Sequence, residues 1–291
     1  MTARIYSMTV PALSNLIKGI LTRSGADNPD GDCAEILMSA LGCDRTQLIL
    51  YGSKDIPDDI ADKAVAMAKR RASGEPIQYA IGSWSFMGRD YAVGEGVLIP
   101  RDDTEVVVQA ALELMKGVQN PVIIDLCSGS GIIAITLQKE LNGSKVAAVE
   151  KSGVAYDYLM RNIELNKTDV QAAKADITDC ADDFADGSFD MIVSNPPYIR
   201  SSDIADLQKE VQYEPRMALD GGESGYDFYE IIIRKWTPKL KKGGYIAFEI
   251  GEDQFGYIEN LLITHGYTDI KGYPDIQGIT RTVTAYKASL F

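Results

Sequence analysis

Apolar positions change their spacing along the chain, and the changes mark three regions. Residues 9–75 carry them at helical intervals. In TVPALSNLIKGILTRSG, Leu13, Leu16, Ile17, Ile20 and Leu21 share one face, Thr9 stands at an N-cap position, Pro11 falls in the first turn and Gly25 ends the run. DCAEILMSALGC repeats the spacing at Ile36, Leu37, Ala40 and Leu41. PDDIADKAVAMAKRRASG places acids in its first turn and Lys69-Arg70-Arg71 in its last, as the helix dipole favours, with Gly74 after them. The pattern predicts a small helical bundle, with that cationic run as a solvated helix end. Over residues 76–100 the spacing shortens to alternation. WSFMGRDYAV predicts a β-hairpin turning about Gly88-Arg89, with Trp84/Phe86 and Tyr91/Val93 on its arms. Beyond Pro100, RDDTEVVVQAALELM predicts a helix with Asp102 or Asp103 near its N-cap.

From about residue 120 short apolar runs alternate with helical ones. PVIIDL, KVAAVE, FDMIVSN and YIAFEIG predict strands, separated by GIIAITLQKEL, GVAYDYLMRNIELN and FYEIIIRKWTPKLKKGG as helices, the last stopped by Gly243-Gly244. QFGYIENLLITHG predicts a further helix, and TDIKGY and TRTVTAYK further strands. Such alternation implies an α/β fold built on a doubly wound, mostly parallel, Rossmann-like sheet. The division expected is therefore 1–75, a helical bundle; 76–100, a linker carrying the hairpin; and 101–291, the α/β domain.

Composition removes several chemistries. The chain holds one histidine, His265, which excludes a His-rich zinc site and argues against a Ser-His-Asp triad. His265 precedes Gly266 at the end of a helical run, where a cation near a C-terminus is expected. The four cysteines, Cys33, Cys43, Cys127 and Cys180, form no CxxC pair and read as reduced thiols. No segment approaches the roughly 18–20 apolar residues of a membrane span. The N-terminal stretch is broken by Pro11, Ser14, Asn15 and Lys18 and lacks a signal-peptide core, so a cytoplasmic protein is expected. Net charge is −13, and residues 76–291 carry 20 Lys+Arg against 32 Asp+Glu, hence −12 of it. An acidic main domain is a poor counterion-release partner for a phosphate backbone, which weighs against nucleic acid as the substrate.

Two motifs carry candidate chemistry. In IIDLCSGSGIIA a strand gives way to Gly129-Ser130-Gly131 and then a helix, a turn that lets a ligand approach the backbone. Glu150 ends the next strand, where an acid can accept from ribose hydroxyls. Together they point to an adenosine-containing cofactor and leave NAD and S-adenosylmethionine open. Asp125 tips the balance: a carboxylate four residues before Gly129 suits a sulfonium and an ammonium better than a pyrophosphate. Asp176, in AKADI, is placed either to accept from an adenine amino group or to cap the next turn. The second motif is SNPPYI. Asn195 offers a side-chain oxygen, Pro196 a backbone carbonyl restrained by the rings around it, and Tyr198 a flat face. Those groups can hold a planar N–H₂ group in line for methyl transfer. Arg101 and Glu105 are spaced to pair across a helical turn. DGGESGY, Asp220–Tyr226, reads as a lid or an ordinary connection, and Glu249 as a strand-end acid.

An Asn-Pro-Pro-Tyr strand tip after a glycine loop is the signature of amino- and amide-directed methyltransferases. GEPIQYAIG, FMGRDYAV, VLIPRDDTEVVV, VSNPPYI, EVQYEPRMALDGGESGYDFY, AFEIG and GITRTVTA follow in an order that resembles, nearly end to end, the HemK/PrmC family of release factor N5-glutamine methyltransferases. The resemblance implies S-adenosylmethionine as methyl donor, leaving S-adenosylhomocysteine. It implies as acceptor the glutamine amide in the Gly-Gly-Gln loop of bacterial class 1 release factors, docked by the helical domain and hairpin; a monomer is expected. It implies Cys127, Ser128, Gly129, Ser130 and Gly131 as the cofactor loop, Glu150 on the ribose and Ile177 beside the adenine. Asn195 would touch both cofactor and glutamine, with Pro196, Pro197 and Tyr198 completing an amide pocket. Three positions depart from the family: Cys127 stands where a glycine is usual, Glu150 where Asp is, and Ile177 where an aromatic is. Cys127 predicts a loop held differently, because a Cys side chain disfavours φ > 0. The runner-up is methylation of a nucleic-acid amino group or of another protein's glutamine. A ribosome-associated binding module should have lost the four tip residues, and a dehydrogenase leaves them unexplained.

Overall fold

The computed structural model describes residues 8–52 and 54–288. Residues 1–7, the start of the stretch read for a leader, lie outside them. The chain forms two compact units, 1–83 with 209–213 and 84–208 with 214–291.

The first unit packs helices Val10–Ser24, Pro29–Leu41 and Asp58–Ala72 around Leu13, Ile17, Leu21, Ile36, Leu37, Ala61, Ala64 and Ala68. Gly25 and Gly42 close the first two helices in the left-handed conformation. A further helix, Arg45–Tyr51, lies outside the apolar periodicity. It is fixed by a capping box in which Asp44 accepts from the Gln47 amide and Gln47 reaches back to the Asp44 amide. The cationic run is only partly solvated. Arg71 continues the buried stripe of Ala64, Met67 and Ala68, so its guanidinium is forced inside, where it meets Asp32 at 2.7 Å and Glu210 at 2.5 Å. Arg70 pairs with Glu75 and donates to the Tyr79 and Ala80 carbonyls.

The second unit is a seven-stranded sheet whose strands we number β1 (Val122–Leu126), β2 (Lys145–Glu150), β3 (Gln171–Lys174), β4 (Phe189–Ser194), β5 (Leu240–Glu249), β6 (Tyr267–Pro274) and β7 (Thr280–Lys287). Their order across the sheet is β3-β2-β1-β4-β5-β7-β6, with β7 antiparallel to both its neighbours and the other pairings parallel. This is the mostly parallel, doubly wound sheet the alternation predicts. Side chains on β1 and β4 alternate between two apolar layers, Ile124, Leu126 and Ile192 on one face and Ile123, Met191 and Val193 on the other. The helix before β5 ends at Trp236, earlier than Gly243-Gly244, because Pro238 cannot continue it. The two glycines lie inside β5.

The hairpin strands Ser83–Phe86 and Arg89–Ala92 turn at Met87-Gly88, one residue earlier than the alternation suggests, with both residues at positive φ. Phe86 and Tyr91 bury on the face of the sheet shared by Val107 and Ile133, and the Tyr91 hydroxyl lies 2.9 Å from Thr136 Oγ1. Asn162, fully buried on helix Gly153–Leu165, ties the hairpin to the glycine loop. Its Oδ1 accepts from the Ala92 amide at 2.6 Å, and its Nδ2 donates to the Ala92 and Ser130 carbonyls at 3.1 and 2.9 Å.

Asn162→Ala would leave one buried N–H and two buried carbonyls without these bonds. It is expected to cost about 2–4 kcal/mol in denaturant titration, against under about 0.5 kcal/mol for Glu164→Ala at an exposed position of the same helix.

Candidate active site

Strand β1 ends at Leu126, and the chain must turn at once to start the helix Ile132–Glu140. Cys127 makes the first bend at φ 60°, Gly129 follows at 55° and Gly131 at 84°. Cys127 therefore takes the left-handed conformation itself, at a strain of roughly 1–2 kcal/mol. Gly131 has a second constraint, since a Cβ there would stand 2.4 Å from Leu159 Cδ1. Ser128 donates its hydroxyl to the Asp125 carbonyl at 2.8 Å, closing the turn.

Register sets what faces this loop. Leu126 lies opposite Val149 on one side and Ser194 on the other, so Glu150 and Asn195 flank it. Ser194 Oγ donates to the Leu126 carbonyl at 2.5 Å. Glu150 Oε2 accepts from the Gly129 amide at 2.8 Å and Oε1 from the Ser152 amide at 2.7 Å. Burial pushes this carboxyl upward while those amides hold it down, with a net rise.

A cavity of about 310 Å³ opens at these strand ends. Cys127, Gly129, Glu150, Asp176, Ile177, Asn195 and Pro197 line it. Val97, Leu98, Val154 and Phe228 supply apolar wall, and none of the four was singled out by sequence pattern. Position after a strand or hairpin at the C-terminal edge was the available signal. One buried carboxylate with spare lone pairs, two apolar walls and an open glycine backbone suit a purine nucleoside. Asp176 lines the cavity while capping the turn, with Oδ1 accepting from the Thr178 amide at 2.9 Å, and its Oδ2 pairs with Lys151 at 2.6 Å. Ile177 is 3% exposed and its carbonyl accepts from Trp236 Nε1 at 3.0 Å. Burial raises the Cys127 thiol well above its ordinary range, so it is a neutral wall and not a thiolate.

Asp125 does not join this lining. Alternation along β1 turns its side chain to the opposite layer, where it is fully buried and Oδ2 accepts from the Ala134 amide at 3.2 Å. Among the described residues Oδ1 has no partner. Burial pushes the carboxyl up to about 8, so near pH 7 it is mostly protonated and offers no charge to a sulfonium.

The Asn-Pro-Pro-Tyr tip leaves β4 beside the end of β5. Asn195 Nδ2 donates to Thr104 Oγ1 at 3.3 Å. Pro196 is buried outside the cavity lining, and Tyr198 also stands outside it, with its hydroxyl 3.5 Å from Glu249 Oε1. Glu249 is 2% exposed, and burial pushes it up to about 7. It is the strand-end acid expected, the last residue of β5, and it lies in the interior. The Asp220–Tyr226 segment is a brace under the tip. Ile199 donates to the Leu219 carbonyl at 2.9 Å and accepts from the Gly221 amide at 2.8 Å, and Gln254 Nε2 donates to the Tyr198 and Gly225 carbonyls. Gly221 is required there, since a Cβ would lie 2.7 Å from Tyr198 Cα. Arg101 does not pair with Glu105. The helix begins only at Thr104, so the two lack helical spacing, and Arg101 instead meets Glu214, which also accepts from the Ile99 amide at 2.9 Å.

A folded-state value near 8 against an ordinary 3.8 means the folded chain keeps a proton at Asp125 that the unfolded chain releases. This contribution weakens stability progressively as pH rises from about 4 to 8 and is constant above. Asp125→Asn, which cannot ionise, should gain over the wild type across that interval, by on the order of 3 kcal/mol near pH 8. Melting both proteins from pH 4.5 to 8.5 checks this; a gap independent of pH contradicts it.

Comparison with known proteins agrees with this geometry. Residues 13–82 match the PrmC N-terminal domain and residues 104–224 the methyltransferase small domain. A release factor glutamine methyltransferase of Geobacter sulfurreducens is 36% identical over 97% of this chain and 98% of its own. One from Aquifex aeolicus is 34% identical over 98% and 99%. A methyltransferase structure from Pyrococcus furiosus superposes with a TM-score of 0.51 at 20% identity over 70% of this chain and 92% of that one, a likeness of fold. With relatives of this identity over nearly its whole length, the chain belongs to the release factor glutamine methyltransferase family.

Proposed function

We propose that this protein transfers a methyl group from S-adenosylmethionine to the side-chain amide nitrogen of the glutamine in the Gly-Gly-Gln loop of class 1 peptide chain release factors. The observation that carries this reading is the opening of Asn195 and Pro197 onto the same cavity as Gly129 and Glu150. A nucleoside site and an amide-directed tip then share one space. S-adenosylmethionine would supply an electrophilic methyl carbon. Glu150 would accept from the ribose, Asp176 and Ile177 would bound the adenine, and Cys127, Gly129 and Asn195 would line the path between, with Ser128, Ser130 and Gly131 shaping the loop.

An amide nitrogen is a poor nucleophile because its lone pair is delocalised into the carbonyl. Asn195 Oδ1 and the Pro196 carbonyl are the acceptors that would hold the two N–H bonds and aim the nitrogen, so the tip works by positioning. Tyr198 is a neutral phenol here, since burial raises it above its ordinary range, with Glu249 adding to the effect. It is therefore no base, and from beside the cavity it would offer the acceptor glutamine a flat face.

The 1–75 bundle and the 76–100 hairpin linker are read as docking surfaces for the protein substrate, and 101–291 as the methyltransferase domain. No helix among the described residues is long and apolar enough to cross a membrane. An enzyme acting on a translation factor would work in the cytoplasm, and we read it as a monomer.

Incubation with labelled S-adenosylmethionine should label wild-type release factor and leave a loop Gln→Ala release factor unlabelled. Label on DNA or RNA alone overturns the assignment. Asn195→Ala should lower kcat by about 10²-fold or more while cofactor affinity stays within about threefold. Equal losses in both would contradict a positioning role.

A further inference from the structure

Two stretches of chain complete the cavity beyond the strand ends, and the scheme above gives neither a part. Gly96, Val97 and Leu98 line it, and so do Pro215, Met217 and Ala218. The first stretch is anchored at both ends. Gly94 and Gly96 lie against helix Gly153–Leu165. A Cβ would meet the Tyr158 hydroxyl at the one and stand 2.6 Å from Val154 Cγ1 at the other. Beyond them the Ile99 amide donates to Glu214 Oε2 at 2.9 Å. The second stretch is bonded to the tip. The Ala218 amide donates to the Pro215 carbonyl at 2.8 Å, and the Leu219 carbonyl accepts from the Ile199 amide at 2.9 Å.

We propose that the Pro215–Ala218 turn is the acceptor-side wall of the active site. Met217 is its contact for the release factor loop, and Glu214 is the positioning residue that fixes the wall against the 94–99 strap. This rests on the reading of the acceptor given above. Sheet order separates the two sides of the cavity. Glu150, Asp176 and Ile177 follow β2 and β3, whereas Asn195 and Pro197 follow β4, with β1 between them. Pro215–Ala218, tied to Ile199, therefore stands on the side of the amide-directed tip. Met217 lines the cavity and is 53% exposed, so it forms the rim that an incoming loop meets. Its unbranched thioether can adapt to such a partner.

Glu214 immediately precedes this wall, and its side chain is buried. Both carboxylate oxygens are engaged. Oε2 holds the Ile99 amide and Oε1 the Arg101 guanidinium. Pro100 lies between those two donors, and its ring fixes the backbone there, so the carboxylate grips a stiff three-residue segment. Pro215 restrains the Glu214 backbone in turn. Hydrogen bonds to an ionised acceptor are the stronger class, and here two converge on one group. One buried side chain thus sets the spacing of the strap and the tip-side wall, and with it the width of the opening beside Asn195. A reaction governed by aim is sensitive to that width, since a displacement of about 1 Å can cost on the order of 10²-fold in rate.

Glu214→Ala releases both donors. It should lower kcat/KM for release factor about 10–100-fold while Kd for S-adenosylmethionine changes less than about threefold. Glu214→Gln keeps an oxygen for the Ile99 amide and gives up only the charge on Arg101, so it should recover most of the loss. Met217→Ala should raise KM for release factor about fivefold or more, with kcat within about twofold. A further readout needs no release factor. Hydrogen exchange of residues 94–99 should quicken about tenfold or more in Glu214→Ala, while β1 exchanges as in the wild type. If β1 quickens as well, Met217→Ala, at an exposed position, decides the wall. The proposal is overturned if Met217→Ala leaves release factor kinetics within about twofold of wild type, or if Glu214→Gln is as impaired as Ala. Equal losses of cofactor and release factor binding, or unchanged exchange at 94–99, overturn it too. Absence of release factor methylation by the wild type would sink the preceding functional reading, and the exchange of 94–99 would still decide whether Glu214 holds the strap.

Discussion

The parallel pairing of β1 with β4 is the constraint on which the site depends. Leu126 stands opposite Ser194, and both strands end there, so the glycine loop and the Asn-Pro-Pro-Tyr tip emerge side by side. A slip of one residue would move every side chain of β4 to the other apolar layer and turn the tip away from the loop. That slip is prevented on both faces, by Ile124 and Ile192 in one layer and Ile123 and Val193 in the other. The Ser194 hydroxyl closes the pair by satisfying the Leu126 carbonyl, which otherwise would end a buried strand without a side-chain partner.

Three acids sit at the ends of the central strands, and burial gives each a different state. Glu150 meets two backbone amides, so part of its desolvation cost is returned while it faces the cavity. Asp125 meets one amide and no cation, and it lies mostly on the protonated side at neutral pH. Glu249 lies between, near a threonine, a tyrosine and an arginine that is shared with two other acids. The same residue class therefore serves as acceptor, neutral packing and titrating group within one sheet edge. The discriminating variable is the number of donors each carboxyl finds.

The mostly parallel sheet, the ends of its central strands and the grouping of the loop with the tip were legible because they depend on periodicity and on punctuation by glycine and proline. What escaped depends on which way a side chain faces. Asp125 was read by its distance from Gly129 in sequence, but alternation on β1 sends it to the opposite layer. Arg71 was read as one of three end cations, although it shares the stripe of Ala64, Met67 and Ala68. The same stripe, extended by one turn, would have placed it inside. The helix Arg45–Tyr51 offers no buried face to detect, yet its Asp44-x-x-Gln47 capping box was written in the sequence. Cys127 shows the limit of the glycine rule: a strained φ is a cost of a kcal/mol or two, not a prohibition, and a loop bonded at Ser128, Gly129 and Gly131 can bear it.

Rigidity at the tip has a source beyond the two prolines. Proline rings restrict their own backbone but cannot stop the whole segment from swinging about its ends. Here the segment is bonded along its length. Ile199 pairs with Leu219 and Gly221, Ser201 with Gly222, and Gln254 reaches the Tyr198 carbonyl from beyond β5. Gly221 and Gly225 permit this because each passes within 3 Å of the Tyr198 backbone at the point a Cβ would occupy. A sequence that is glycine-rich at Asp220–Tyr226 thus produces close packing instead of mobility. The amide-directed groups are held from below by the brace and from the side by Thr104, and only the cavity face is left open. That is the arrangement a reaction limited by the aim of a weak nucleophile requires, since orientation imposed before the acceptor arrives need not be imposed again at the transition state.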